Sequence, residues 1–273
     1  MQKGELIAEG RTAEVYAWGG SRVLKLYRPD WPLENIEYEI KIGRIVYDAG
    51  VAAPFVGDLI EVDGRRGLIY ERIDGAAMDS VLLKRPQRAD EIARLFAHLH
   101  LSLHRSSATD LPLQRRRLIR QIEQAASSSA LGDTRKQFAL DTLATLPDGG
   151  ALCHGDLHPG NVLMSPDGPR IIDWENATTG SPLADVARTS LVLQTAHLTL
   201  DASILTEPVI AAIERFRQIY LNEYIARSGA NRTLIDAWHI PVAAARLHEG
   251  ITTEESFLLA LCTPPTMTEK EQI

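Results

Sequence analysis

The sequence predicts an α+β protein with a small antiparallel β lobe that contains one helix, followed by a larger, mostly helical lobe. Short strand-like segments separated by turn residues fill most of the first seventy positions. Apolar residues at helical spacing dominate after residue 74, and one non-helical island, residues 151–175, interrupts them. We therefore place the lobe boundary after residue 73, which gives segments 1–73 and 74–273.

The first lobe is predicted to contain strands on both sides of one helix. The strand-like segments are Leu6–Glu9, Glu14–Trp18, Val23–Tyr27, Val56–Val62 and Gly67–Glu71. Glycine-containing turns separate the first three segments, which predicts a meander, and Asp63-Gly64 predicts a tight turn between the last two. Apolar residues recur at helical spacing within residues 34–49, and Gly50 ends this helix.

The second lobe is predicted to be helical apart from the island. Ile92, Phe96 and Leu103 belong to a set of apolar residues that share one helical face. Further helices are predicted over residues 113–126, 134–146, 182–197, 205–227 and 232–247. Within the island, Asn161–Met164 and Arg170–Ile172 are predicted to pair as a hairpin around a Pro-Asp-Gly turn.

Composition and charge exclude several classes of protein. With 29 Lys and Arg against 36 Asp and Glu, the net charge of −7 gives no general reason to bind nucleic acid or anionic lipid. No apolar run reaches the ~18 residues of a membrane span, and the first residues lack the apolar core of a signal peptide. The two cysteines form no CxxC pair. We expect a cytoplasmic protein with neither a nucleic-acid nor a membrane partner.

The island contains polar residues that suit metal binding and proton transfer. It includes the string His154-Gly155-Asp156-Leu157-His158-Pro159-Gly160-Asn161, and later Ile171-Ile172-Asp173-Trp174. Strand pairing is expected to return Asp173 beside Asn161, and their oxygens are hard ligands of the kind that Mg²⁺ prefers. A separate aspartate, Asp156, can accept a proton from an incoming hydroxyl.

These motifs resemble the catalytic core of the protein-kinase-like phosphotransferases, in particular the aminoglycoside phosphotransferase and choline kinase branch. That branch has H-G-D-x-x-x-x-N and I-D-W where protein kinases have H-R-D and D-F-G. The resemblance implies a bilobal protein-kinase-like fold that uses Mg²⁺ and ATP, with GTP left open. It also implies that Asp156 is the catalytic base, that Asn161 and Asp173 are the metal ligands, and that His158 contacts phosphate.

The resemblance places the nucleotide site in the first lobe, and the catalytic loop and substrate site in the second. The turn that contains Gly10 would cover the phosphates. Lys25 lies in the middle of an apolar strand, where an ammonium group is costly to bury unless it meets an anion. The following helix offers Glu39 as its partner, with Glu37 as the alternative. The backbone of residues 71–73, from Glu71 to Ile73, would contact the adenine edge.

The expected activity is transfer of a γ-phosphoryl group to a hydroxyl of a small molecule. Protein kinase activity is disfavoured because Gly155 stands where an arginine would hold an activation-loop phosphate. Asp185 resembles the aspartate that begins a helix and braces the catalytic loop in this family. A nucleotide-binding pseudokinase is the alternative from another class, but Asp156, Asn161 and Asp173 are all present.

The sequence leaves the acceptor, the oligomeric state and the roles of several acidic residues open. Aminoglycoside, sugar, choline-like and homoserine-like acceptors all fit the sequence, and the oligomeric state is unknown. Glu175 follows Asp173 closely and could assist a metal or a cationic substrate, or face water. Three acidic residues near the C-terminus, Glu249, Glu254 and Glu255, could belong to a site for a cationic acceptor or form a solvated helix end.

Overall fold

The computed structural model describes residues 3–128, 131–201 and 203–265. The strands are β1 (Leu6–Glu9), β2 (Ala13–Trp18), β3 (Arg22–Tyr27), β4 (Val56–Val62), β5 (Arg65–Glu71), β6 (Ala76–Ala77), β7 (Ala151–Cys153), β8 (Val162–Ser165), β9 (Gly168–Ile171) and β10 (Thr178–Gly180). The helices are α1 (Leu33–Asp48), α2 (Met78–Lys84), α3 (Ala89–His104), α4 (Gln114–Ser128), α5 (Gly132–Thr145), α6 (Pro182–Thr199), α7 (Glu207–Ser228), α8 (Arg232–Arg246) and α9 (Glu255–Leu261).

The chain divides into two compact units that are each discontinuous in sequence. The first unit comprises Met1–Ser80, Ala108–Asp110 and Pro159–Asn176, and the second comprises Val81–Ser107, Leu111–His158 and Ala177–Ile273. The predicted boundary cuts the chain once, after residue 73. The units differ from it because β6 pairs with β8, which joins the β8–β9 hairpin to the first unit.

The main sheet of the first unit has five antiparallel strands in the order β1-β2-β3-β5-β4. Helix α1 buries one face, and Ile36 of that face packs in a core cluster with apolar residues of this sheet. Val62 pairs with Arg65 across Asp63 and Gly64, whose φ angles of 53° and 72° are those of a tight hairpin turn. The predicted order of three strands, one helix and two strands is confirmed, as is the turn.

The second unit is mostly helical, and the α+β fold class predicted from the sequence is confirmed. Strands β7 and β10 form a small antiparallel pair within it. Helices α3 and α7 pack through aromatic rings, among them Phe96 against Phe216 at 5.6 Å between centroids. None of the helices in the described parts of the chain is both long and apolar enough to cross a membrane.

We predict that Gly75→Ala destabilises the protein, because a Cβ atom there would lie 2.5 Å from the backbone carbonyl oxygen of Met164. Forcing an atom into such a space typically costs about 1–3 kcal/mol. Gly10→Ala is the matched control, since its nearest atom would be the Ala13 carbonyl oxygen at an ordinary 3.6 Å. Thermal unfolding of both variants would measure this. Equal melting temperatures for the two variants would contradict the prediction.

Candidate active site

The first unit contains a cavity of about 650 Å³. Its walls come from the β1–β2 turn, β3, α1, the segment after β5, and the residues around the β8–β9 hairpin. Most of the residues predicted from the sequence to bind nucleotide or metal line it, namely Gly10, Lys25, Glu39, Glu71, Ile73, Asn161 and Asp173. His158, which was predicted to contact phosphate, belongs to the second unit. A volume of this size lies within the usual range of small-molecule sites, about 300–1,000 Å³.

An ion pair between Lys25 and Glu39 lies at one wall of the cavity. The Lys25 Nζ atom is 2.7 Å from the Oε1 atom of Glu39, which belongs to the buried face of α1. Tyr27 and Tyr70 both donate their hydroxyl groups to the Glu39 carboxylate. The alternative partner, Glu37, is exposed on the opposite side of α1. The structure therefore pairs Lys25 with Glu39.

This pair controls the ionisation of both groups. Burial alone would lower the pKa of Lys25, but the nearby carboxylates of Glu39 and Glu175 outweigh it, so that the pKa is raised. Burial alone would raise the pKa of Glu39, but the charge of Lys25, together with hydrogen bonds, holds that pKa below its ordinary value. Both groups are thus charged at neutral pH, as an anion-binding lysine requires.

Glu175 is a second carboxylate beside Lys25, at 3.2 Å between Oε1 and Nζ. Burial raises the pKa of Glu175 to about 7; the charge of Lys25 opposes this rise, and those of Glu39 and Asp173 add to it. The sequence left the role of Glu175 open because its position shortly after Asp173 does not show which way it faces. In the structure it lines the same cavity as Lys25.

Asn161 and Asp173 are the oxygen donors predicted to hold a metal. Asn161 is buried. Its backbone carbonyl oxygen accepts a hydrogen bond of 3.0 Å from the Ile172 N–H, which ties the two segments together. Strand β9 ends at Ile171, so Asp173 follows the strand instead of ending it. Asp173 has a φ of 65°, a conformation uncommon for a residue other than glycine. A carboxylate and a carboxamide lining one cavity fit the hard-ligand preference of Mg²⁺.

The segment after β5 has few backbone donors left for a ligand. The Glu71 N–H donates to the Phe55 carbonyl at 3.0 Å, and the Arg72 N–H donates to the Ser21 carbonyl at 2.9 Å. The Ile73 N–H has no acceptor within the described parts of the chain. Of the three backbone N–H groups predicted to face adenine, Ile73 thus offers the best candidate.

In the second unit, one face of α6 holds the loop that contains Asp156. The residues that form this face lie three and four positions apart. The Asp185 carboxylate accepts the N–H groups of His154 and Gly155 at 2.7 and 2.8 Å. The Thr189 hydroxyl donates to the Leu157 carbonyl at 2.8 Å. The brace that the sequence assigned to Asp185 is therefore present.

The Asp156 carboxylate is held by Arg188, from the same face of α6. The Arg188 Nη2 atom lies 2.9 Å from the Oδ1 atom of Asp156, and the His158 Nε2 atom lies 4.0 Å from Oδ2. Burial would raise the pKa of Asp156, but the charge of Arg188, with smaller contributions from His158 and His154, lowers it. Asp156 is therefore an anion at neutral pH, as a proton acceptor must be.

Two histidines of α3 complete the surroundings of Asp185. The Nε2 atoms of His100 and His104 lie 3.1 and 3.2 Å from its Oδ2 atom. Their Nδ1 atoms contact the hydroxyl groups of Tyr220 and Tyr224. The hydrogen bonds and charges of the two histidines outweigh burial and hold the pKa of Asp185 well below its ordinary value. This buried network fixes the base of the loop.

The acidic residues near the C-terminus also have partners within the second unit. Glu249 accepts from Arg188 at 2.7 Å and from Arg246 at 3.0 Å. Glu254 is buried and lies 2.5 Å from Arg246. Glu249 and Glu254 therefore serve ion pairs inside the unit. Arg188 was not among the residues predicted from the sequence. Its place three residues after Asp185 indicates only that the two residues share one helix face.

A model of the family described as "Phosphotransferase enzyme family" matches residues 3–229 of the chain. This chain belongs to that family. The match extends over most of both units of the phosphotransferase, and the family assignment made from the H-G-D-x-x-x-x-N and I-D-W motifs is confirmed. The prediction that the protein is an enzyme of the phosphotransferase class is confirmed with it.

Solved structures of low sequence identity share the fold of the phosphotransferase. A thermostable mutant of aminoglycoside phosphotransferase APH(4)-Ia, in a ternary complex with ADP and hygromycin B, is 16% identical, with a TM-score of 0.64 over 95% of this chain and 92% of that one. A choline/ethanolamine kinase family protein from Mesorhizobium loti is 18% identical, with a TM-score of 0.56 over 100% and 84%. Aminoglycoside phosphotransferase APH(3'')-Id from Streptomyces rimosus, with ADP and streptomycin, is 20% identical, with a TM-score of 0.56 over 85% and 90%.

A curated relative resembles part of the phosphotransferase. Acyl-CoA dehydrogenase family member 11 from Gallus gallus is 27% identical in an alignment of 195 residues that covers 62% of this chain. The match spans only 25% of the length of that relative. The likeness therefore concerns one segment of a larger protein.

We predict that the stability of the phosphotransferase decreases as the pH falls from about 6.5 to 4. Burial and the neighbouring His104 lower the pKa of His100 from 6.5 to about 4. Within this window the unfolded chain binds a proton at His100 that the folded protein does not, so stability is lost as the pH falls. One such group changes the free energy of unfolding by at most about 1.4 kcal/mol per pH unit.

Urea unfolding followed by circular dichroism at several pH values would measure this slope. His100→Asn is expected to reduce it. The matched control is His98→Gln on the same helix, where the side chain is exposed and pairs with Glu223. Equal slopes for the wild type and His100→Asn would show that His100 is not the group responsible.

Proposed function

We propose that the protein transfers the γ-phosphoryl group of ATP to a hydroxyl of a small molecule, in the manner of an aminoglycoside phosphotransferase. The observation that carries this proposal is the cavity of the first unit, where the Lys25–Glu39 pair is accompanied by Asn161 and Asp173. A fixed cation and two hard oxygen donors in one cavity suit a triphosphate with its metal ion.

The first unit would bind and orient the nucleotide. Lys25, kept charged and fixed in place by Glu39, would bind the phosphates. The turn that contains Gly10 would cover them through backbone N–H groups. The Ile73 N–H, with Glu71 at the end of β5, would contact the adenine edge. Because phosphoryl transfer depends mainly on positioning and charge stabilisation, these contacts are the main contribution of the unit.

Asn161 and Asp173 would hold Mg²⁺, which neutralises charge on the phosphate oxygens when it is bound. The backbone hydrogen bond from Ile172 to Asn161 keeps the segments of both donors together. The left-handed backbone at Asp173 orients a side chain that a regular strand would direct elsewhere. Strain of this kind is common at functional sites.

Asp156 would act as the base. In the reaction the acceptor oxygen forms a bond to the γ-phosphorus atom, the bond from that atom to the β–γ bridging oxygen breaks, and the hydroxyl proton passes to the Asp156 carboxylate. The low pKa that Arg188 helps to maintain keeps the carboxylate ionised and ready to accept the proton. His158, near Asp156, would contact phosphate.

The acceptor is an alcohol, and turnover measured with a panel of aminoglycosides, sugars and amino alcohols would identify its class. Hygromycin B and streptomycin, bound by structural relatives, support an aminoglycoside. Choline-, homoserine- and sugar-like alcohols are the alternatives, and the choline/ethanolamine kinase family neighbour supports the first of these. A pseudokinase would bind nucleotide without transferring phosphate. The same assay with GTP in place of ATP would show which nucleotide is the phosphate donor.

We predict that Asp156→Asn lowers kcat by at least about 10²-fold while the nucleotide Kd changes by less than about twofold, because general bases contribute that much to rate. Asp173→Asn should in addition weaken Mg²⁺-dependent nucleotide binding. The control is Asp167→Asn, at an exposed position of the β8–β9 turn. ADP release would be measured with aminoglycosides, sugars and amino alcohols. If Asp156→Asn turned over the acceptor at the wild-type rate, Asp156 would not be the base. If the wild type bound nucleotide without transferring phosphate, the protein would be a pseudokinase.

We predict that Glu39→Gln raises the nucleotide KM by about tenfold or more, because Lys25 loses its principal anionic partner and its fixed position. Glu37→Gln is the matched control, since it lies on the same helix and faces solvent. The nucleotide KM of that variant should stay within about twofold of the wild type. Similar KM values for the two variants would mean that the ion pair does not position Lys25 for the phosphates.

A further inference from the structure

We propose that Arg188 is a positioning residue for catalysis, which holds the Asp156 carboxylate in place because Glu249 anchors the other end of its guanidinium. The inference rests on the proposed function, since it takes Asp156 as the base. It adds two residues, Arg188 and Glu249, that act on the reaction through another side chain and need not touch a substrate.

The guanidinium of Arg188 spans two carboxylates. Its Nη2 atom lies 2.9 Å from Asp156 Oδ1, and its Nη1 atom lies 2.7 Å from Glu249 Oε1. The side chain of Arg188 is 11% exposed, compared with 24% for Asp156 and 27% for Glu249. The cation is thus the most buried member, and its two terminal nitrogens are each committed to one carboxylate. Such an arrangement fixes direction as well as charge.

The anchor of Glu249 is itself held. Arg246 donates to Glu249 at 3.0 Å and to Glu254 at 2.5 and 2.8 Å. Glu254 also accepts the hydroxyl of Thr195, which returns the chain of contacts to α6. Charges therefore alternate in sign from Asp156 to Glu254, and each carboxylate beyond Asp156 lies between two donors. A connected network of this kind holds its members more firmly than isolated pairs do.

An arginine is required here for a geometric reason. The Nε atom of Arg188 is buried without an acceptor within the described residues, so both contacts use the terminal nitrogens. A lysine offers one nitrogen on a flexible stem, and it can restore the charge beside Asp156 without bridging to Glu249. Arg188→Lys should therefore recover part of the function that Arg188→Met loses.

The role of Arg188 predicts a change in kcat and not in nucleotide KM. Other charged or titratable groups near Asp156, which are His158 and His154, belong to its own loop. Asp185 and Thr189 hold the backbone on either side of Asp156, at Gly155 and Leu157. Arg188 contacts the Asp156 carboxylate itself. A displacement of about 1 Å in a reacting group can cost about 10²-fold in rate. Apart from His158, the residues proposed to bind nucleotide lie in the first unit, so their contacts should be kept.

The test compares steady-state kinetics of variants with the acceptor identified by the panel. Arg188→Met should lower kcat by about 10²-fold with nucleotide KM within about twofold, and Arg188→Lys should recover about tenfold of the loss. Arg217→Met is the matched control, since Arg217 is also 11% exposed but pairs with Glu214 of its own helix. Its kcat should stay near that of the wild type, and melting temperatures would exclude unfolding.

A double-mutant cycle tests the anchor. Glu249→Gln alone should lower kcat by about tenfold, and in the Arg188→Met background it should have no further effect, since Glu249 acts through Arg188. The inference would be overturned by additive effects of the two substitutions, or by a normal kcat in folded Arg188→Met. The proposed function would still stand in either case if Asp156→Asn were inactive. Absence of transfer by the wild type with every acceptor would instead overturn the proposed function, and the inference with it.

Discussion

A buried charge is stable only beside an opposite charge or a set of hydrogen-bond partners, and this constraint shapes the first unit around Lys25. Removing an ion from water costs several kcal/mol, which attraction to a partner offsets only when the geometry is good and the remaining polar atoms are satisfied. Glu39 meets both conditions, since it faces Lys25 at 2.7 Å and accepts the hydroxyls of Tyr27 and Tyr70. The cation is thereby fixed at the cavity wall before any ligand arrives.

The second unit solves the same problem with the signs reversed. Asp185 is fully buried, and it is stabilised by two backbone N–H groups and two histidine rings. Asp156, a few residues along the loop, is stabilised by Arg188. In each case the charged group is oriented by partners from another element, so no reorganisation is needed when charge develops in a reaction. Preorganisation of this kind is a large source of catalytic power in enzymes.

Sequence patterns predicted most of the fold because the long elements have a clear period. The strands of the main sheet and the long helices were found, with ends displaced by a few residues. Strands β7 and β10 were not, because three residues carry no measurable period and each pairs with a segment far away in sequence. The pairing of β6 with β8 is also long-range, and it places residues 159–176 in the first unit, whereas the boundary predicted after residue 73 leaves them in the second segment.

For the site, the residues of a local motif were predictable and their partners were less so. Glu39 was preferred over Glu37 because the end of the helix resembles the family pattern. The structure places Glu39 on the buried stripe of α1, three residues from both Ile36 and Ile42. The spacing of Arg188 from Asp185 indicates a shared helix face but does not match Arg188 to Asp156, since half of the positions of α6 are buried and a helical arginine has many possible acceptors. Long-range ion pairs depend on tertiary packing, which one sequence does not reveal.

The glycine within the H-G-D motif explains why the cation beside Asp156 comes from a helix. Gly155 has a φ of 80°, in the region that only glycine enters without strain, and its N–H donates to Asp185. A larger residue at this position, such as the arginine of the H-R-D motif, would be strained at this φ angle. The loop therefore gains a tight attachment to α6 and loses a cationic side chain. Arg188, one turn after Asp185 on the same helix, places a positive charge where the loop itself provides none.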